Sequence, residues 1–333
     1  MRSKEKVRRL VYEILSVLKE GKHEGPQGAR VIAKELQKRG FHIGDRAVRY
    51  HLKHLDERGL TKKRGSLKGR IITEKGEEEV RNDLVGERVG FIVGKIYELI
   101  YKMNYDLESG KGKIVANLSL LNSEKIEESL KIMKEIMKKG YAPSPLVKIS
   151  NEGESVGKTK VPEGKVGIAT VCSVTIDGLL IGEGIPVTPR FGGLLEIEKG
   201  KPNRFVDAIA YQGSSLDPLE VFASKKMTSY LNVLEKGSGR ILANLRDIPA
   251  SARAEAIEII DRAKGNDLNG VLDIGAPAEA LFGLPVEVNR VGIVVVGGIN
   301  PAIAVEERGI EIETKPLEEI LDISEMRHIQ EFV

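Results

Sequence analysis

The sequence predicts an α+β chain in two parts: a small helical head closed by a β-hairpin, then a larger α/β body made of two similar half-units. Three observations lead there. Charge is divided: residues 1–73 hold 20 Lys and Arg against 8 Asp and Glu, and the remaining 260 residues hold 32 against 41. Apolar residues recur at helical spacing through the first sixty positions. Beyond residue 110, short strings return in the same order about 125 positions later.

Lys4–Glu20 aligns Val7, Leu10, Val11, Ile14, Leu15 and Leu18 on one helical face, and Gly21 stops it. After Gly25-Pro26 a second helix, Ala29–Arg39, turns Ile32, Ala33 and Leu36 inward and ends at Gly40. Asp45 is expected to N-cap a third, with Val48, Leu52 and Leu55 as its buried stripe up to Gly59. Leu60–Arg64 and Arg70–Thr73 flank a glycine-bounded turn and read as a hairpin. This order is that of a winged helix-turn-helix, placed at residues 1–75.

A head of net charge +12 on a body of −9 points to a polyanion for the head alone. The third helix turns Arg46, Arg49, Tyr50 and Lys53 away from its apolar stripe, donors suited to base edges and phosphates in a major groove. The hairpin offers Lys62, Lys63, Arg64, Lys68 and Arg70 to the flanking backbone. The partner expected is double-stranded DNA. His51 and His54 share the third helix, but the head has no cysteine, so no metal site is read there.

Glu74 to Met103 reads as helical, a connector at 76–110 with Ile92, Ile96, Leu99, Ile100 and Met103 on one side. It suits either dimerisation or packing within the body.

In the body, placed at 88–333, Lys113-Ile-Val-Ala-Asn-Leu118 returns as Arg240-Ile-Leu-Ala-Asn-Leu245, each before an amphipathic helix. Lys165-Val-Gly-Ile-Ala-Thr170 returns as Arg290-Val-Gly-Ile-Val-Val295. The half-units fall at about 111–190 and 238–315, with an inserted hairpin at about 191–230. This alignment sets Cys172-Ser173-Val174-Thr175 against Gly297-Gly298-Ile299-Asn300. In the second half a buried strand runs through a glycine loop to Asn300 as N-cap and Pro301 as first helical residue, presenting free N–H groups to an anion.

Candidate ligand contacts are therefore Thr170, Cys172, Ser173 and Thr175 from one half, and Gly297, Gly298 and Asn300 from the other. Arg190, beside Gly192-Gly193, suits a carboxylate, and Ser214 and Ser215 are further donors. Asp217-Pro218-Leu219-Glu220 reads as a helix cap, so Asp217 is a cap before it is an acid. Cys172 reads as pocket lining, because the body's only histidine is His328 at the far C-terminus. Gly153-Glu-Ser-Val-Gly-Lys-Thr159 lacks the spacing of a phosphate loop. No catalytic motif appears and no catalytic residue is assigned. One cysteine, no signal peptide and no long apolar run predict a cytoplasmic protein off the membrane.

The strings RVGFIVGKIYELIYKM, KVGIATVCSVTIDG, GIPVTPRFGGLLE, YQGSSLDPLEVF and VVVGGINPAIAVEERGIE, behind a winged head similar to that of ribonuclease R, resemble the archaeal nitrogen-regulatory repressor family, NrpR. The resemblance covers nearly the whole chain. It implies a transcriptional repressor on palindromic operators of nitrogen-assimilation genes, with 2-oxoglutarate as the allosteric effector and no cofactor. A homodimer is expected, or a dimer of dimers. Family members often carry two sensor domains and this chain carries one, which leaves room for a separate sensor-only partner. The alternatives are a small-carboxylate enzyme with a DNA-binding head, and a repressor sensing a different anionic metabolite.

Overall fold

In the head, three apolar stripes converge on one centre. The structure, a computed structural model, describes residues 2–64, 69–82 and 90–333, and its contacts divide the chain into Met1–Glu87 and Arg88–Val333. Helices α1 (Arg2–Glu20), α2 (Ala29–Lys38) and α3 (Asp45–Glu57) bury Ile14, Leu15, Leu18, Ile32, Leu36, Val48, Leu52 and Leu55 against one another. Gly40 (φ 84°) and Gly59 (φ 73°) follow α2 and α3 in the left-handed region, where a side chain is disfavoured. Strands β1 (Thr61–Lys63) and β2 (Arg70–Ile72) pair antiparallel, Lys62 opposite Ile71, and Leu60 and Ile72 close the hairpin onto the core. Asp45 does not cap α3: Gly44 holds that position, and Asp45, already helical, pairs with Arg49 one turn on.

Helix α4 (Glu74–Asn82) packs on α1 within the head. Helix α5 (Phe91–Lys102) belongs to the second unit and buries Ile92, Ile96, Leu99 and Ile100 there. Residues 83–89 of the expected connector lie outside the described residues.

The body runs β3 (Lys113–Asn122), α6 (Ile126–Lys138), β4 (Leu146–Ser150), β5 (Ser155–Val156), β6 (Thr159–Lys160), β7 (Lys165–Val171), α7 (Val174–Gly182), β8 (Thr188–Glu198) and β9 (Lys201–Ala210). It continues with α8 (Pro218–Ser224), α9 (Tyr230–Lys236), β10 (Gly239–Pro249), α10 (Arg253–Lys264), β11 (Val271–Ile274), β12 (Arg290–Val296), α11 (Asn300–Glu307), β13 (Ile312–Asp322) and β14 (Arg327–His328). Two five-stranded antiparallel sheets result, in the orders β13-β3-β7-β4-β14 and β11-β12-β10-β8-β9.

The repeat is visible in this topology: β3-β7-β4 matches β10-β12-β11, and α6 and α7 match α10 and α11. It also extends further than sequence identity shows. Strands β8 and β13 are both 11 residues long and follow equivalent helices. They are exchanged: β8 pairs with β10 of the second half, and β13 returns to pair with β3 of the first. Thr188–Glu198 thus belongs to the repeat, and the unduplicated part begins at β9, not at residue 191. The two strands share no residue pattern, so sequence comparison stops short of them.

Strands β3, β7, β10 and β12 are buried along nearly their whole length. Polar residues on them must therefore find partners inside the protein. Among the described residues no helix is long and apolar enough to cross a membrane.

Candidate functional site

Two regions of the chain gather polar groups. On the head, Arg46, Arg49, Tyr50 and Lys53 are all exposed along α3, opposite its buried stripe. Arg49 pairs with Asp45, but both side chains are about half exposed, so the pair is weak and exchangeable. The Tyr50 ring stands edge-on to His51 and His54, with centroids 5.4 and 4.6 Å away. Lys62, Lys63 and Arg64 line the outside of the hairpin. Arg70 differs from expectation: its Nε lies 2.9 Å from Asp56 Oδ2 and its side chain is 12% exposed, so it braces the hairpin against α3. Lys68 lies outside the described residues. Among these residues no His, Cys, Asp and Glu cluster could hold a metal ion.

In the body, the starts of α7 and α11, equivalent in the two half-units, meet. A Cβ added to Gly298 would lie 2.9 Å from Cys172 Cα and 2.6 Å from Asn117 Nδ2, so only glycine allows this approach. Thr170 Oγ1 donates to Gly298 O at 3.2 Å, across the junction. Beside it is a cavity of about 20 Å³, lined by Asn117, Cys172, Ser173, Gly298, Tyr211, Asp217 and Leu219 among others. Ile96 of α5 and the Pro316-Leu317 bulge of β13 complete its wall.

A buried polar network surrounds this cavity. Tyr211 Oη donates to Asn244 Oδ1 at 2.7 Å, and lies 3.4 Å from Asp217 Oδ1. Ser173 Oγ accepts from Asn244 Nδ2 at 3.4 Å and from Arg246 Nη2 at 3.2 Å. The Arg246 guanidinium also contacts the Asp177 carboxylate directly. Asp217 caps α8 by accepting from Leu219 N at 2.8 Å. Burial pushes the Asp217 carboxyl up to about 6, and the Asp177 carboxyl upward against the pull of Arg246. Burial also pushes the Cys172 thiol up to about 12, so the cysteine is a neutral wall and no nucleophile. One cation and two carboxyls thus share a water-poor site, with amide and hydroxyl donors between them.

The residues chosen from sequence divide into two groups. Cys172, Ser173 and Gly298 line the cavity, with Thr170 tying the junction behind them. Thr175 and Asn300 do not reach it; each clasps its helix to the first strand of its own half. Thr175 Oγ1 donates to Val115 O at 3.0 Å, while Asn300 Nδ2 donates to Leu242 O at 3.0 Å and its Oδ1 accepts from Tyr230 Oη at 2.6 Å. Asn300 also makes no N-cap, since Ile299 holds that position and the side chain is taken by the clasp. Gly297 packs on Leu219 and Leu242.

Arg190 lies away from the cavity, paired with Glu287 and with Asp247, whose Oδ2 is 3.3 Å off. Ser214 closes its own turn by donating to Leu216 O at 2.6 Å, and Ser215 lines no part of the cavity. Asn117, Asp177, Tyr211, Asn244 and Arg246 were not chosen from sequence. Their signal was present: Asn117 and Asn244 are the one polar position in the repeated Ala-Asn-Leu strings, and Arg246 and Asp177 are charges inside apolar runs.

Comparison with known proteins covers both parts. Residues 89–328 match the family of NrpR regulatory domains NRD1 and 2, and residues 12–80 match the ribonuclease R winged-helix domain. The global nitrogen regulator NrpRI of Methanosarcina mazei is 46% identical over 323 residues, covering 97% of this chain and 98% of its own. The global nitrogen regulators NrpR of Methanococcus maripaludis and Methanocaldococcus jannaschii are each 35% identical, and the chain spans 54% and 55% of their lengths. A crystal structure of a nitrogen repressor-like protein from Methanococcus jannaschii, 30% identical, superposes with a TM-score of 0.61 over 72% of this chain and 98% of that one.

Proposed function

We propose that this chain, which belongs to the NrpR family of nitrogen regulators, represses transcription through its head under control of an effector bound in its body. It is a transcriptional repressor of nitrogen-assimilation genes, in which α3 enters the major groove of a palindromic operator and the hairpin follows the flanking phosphates. A homodimer supplies two heads for two half-sites, and a sensor-only partner is the second way to complete the regulator. The effector is 2-oxoglutarate, bound where the two half-units meet.

The observation that carries the effector reading is Arg246, a cation 3% exposed whose guanidinium reaches Ser173 at the cavity wall. A buried cation with hydroxyl and amide donors around it suits a carboxylate. A cavity of about 20 Å³ does not admit a five-carbon dicarboxylate, so entry displaces part of the wall. Ile96, in that wall, sits on the helix that follows the head in the chain. A preference of about 1.4 kcal/mol for the displaced wall lowers operator affinity tenfold.

Calorimetric titration with 2-oxoglutarate, and with a phosphorylated metabolite of similar size, tests the site. Saturable binding of 2-oxoglutarate, returned chemically unchanged by mass spectrometry, is the expected result. Turnover of the ligand, or preference for the phosphorylated anion, replaces this reading.

A further inference from the structure

We infer that Asn117 holds an oxygen of the effector through its side-chain amide nitrogen, an assignment that rests on the pocket reading above. Asn117 on β3 and Asn244 on β10 occupy the same position in the two halves, and each is 1% exposed. Asn244 uses both ends of its amide, accepting from Tyr211 and donating to Ser173. Asn117 uses one: Oδ1 accepts from Leu317 N at 3.2 Å, while Nδ2 has no acceptor among the described residues.

The orientation of that amide is fixed by chemistry. Reversing it would set two donors, Nδ2 and the Leu317 N–H, against each other. The free donor therefore stays with the cavity that Asn117 lines. Gly298 keeps the approach open, since a Cβ there would stand 2.6 Å from Nδ2. About 20 Å³ fits one oxygen-sized group. The group recognised is an acceptor with no need to donate, which describes a carboxylate or keto oxygen.

Asn117 also has a second task. Leu317 sits at φ 53°, a conformation unusual for a side-chain-bearing residue, inside the register shift between Lys315 and Glu319 of β13. The same amide that faces the effector thus holds this bulge through its other end. Effector recognition and the position of the cavity wall meet in one residue.

The test compares wild type with Asn117→Asp by calorimetric titration with 2-oxoglutarate, alongside thermal unfolding of both. Aspartate keeps an oxygen for Leu317 N–H and replaces the donor by an acceptor. Wild type is expected to bind, and the variant to bind about tenfold more weakly or worse when titrated well below its own unfolding midpoint, which the buried carboxyl lowers. Equal affinity in a folded variant overturns the assignment and leaves the pocket reading standing. Absence of binding by wild type overturns the pocket reading itself. Should the variant not fold, a co-crystal structure of wild type decides: Nδ2 within about 3.2 Å of a ligand oxygen supports the assignment, and ligand oxygens held only by other groups overturn it.

Discussion

Arg246 on β10 and Asp177 on α7 touch as an ion pair with only 4% and 1% of their side chains exposed. Removing both charges from water costs several kcal/mol per ion, which their attraction only partly offsets. A well-packed apolar pair would fold at least as well there. Arg246→Ala alone leaves Asp177 buried without a counter-charge and is expected to cost ~3–5 kcal/mol in urea unfolding. Arg246→Met combined with Asp177→Leu is expected to recover that stability while abolishing 2-oxoglutarate binding. A double variant that still binds would remove Arg246 from the site.

Asp217 gives the pH dependence. Burial raises its carboxyl from the usual 3.8 to about 6. The stability of the protonated form is complete below about 4 and is lost as pH rises through about 6, because the folded chain must then hold a buried charge. Asp217→Asn keeps the cap on α8 and mimics the neutral form. It should match wild type near pH 4 and exceed it by up to ~3 kcal/mol at pH 8. Parallel unfolding curves across this range would contradict the account.

The clasps make a contrasting prediction. Tyr230 Oη donates to Asn300 and accepts from Leu242 N at 2.9 Å, all of it buried. Tyr230→Phe leaves Leu242 N–H and Asn300 Oδ1 without that partner and should destabilise by roughly 1–3 kcal/mol. Effector affinity, measured well below the unfolding transition, should be unchanged.

On the head, Lys62→Ala with Lys63→Ala should weaken operator and random DNA alike, and flatten the dependence of log affinity on log salt by about two. Arg49→Ala should weaken the operator selectively, by ~1–3 kcal/mol. Arg70→Ala should act through stability, since Arg70 braces the hairpin on Asp56. Filter binding across salt concentrations separates the three.

These variants also mark what was legible in the sequence. Helical spacing found the stripe of Val48, Leu52 and Leu55 and therefore the exposed row opposite it, because amphipathic periodicity is local. Repetition found Cys172-Ser173 facing Gly297-Gly298, because both halves keep the same strand-to-helix junction. Partners distant in sequence were not legible. Whether Asn300 caps a helix or meets Tyr230 depends on a contact 70 residues away. Arg190 suits a ligand carboxylate or a surface ion pair equally until Asp247 and Glu287 are placed beside it. The exchange of β8 and β13 leaves no mark in residue identity, because either strand satisfies the same backbone ladder.

Filling the cavity beside Asn117 and Ser173 is expected to lower operator affinity. Fluorescence anisotropy on a palindromic operator, with and without saturating 2-oxoglutarate, measures this directly. Operator binding should be about tenfold weaker with the ligand, and ligand affinity should fall by the same factor when operator is present. Operator affinity unchanged at saturating 2-oxoglutarate would contradict that expectation.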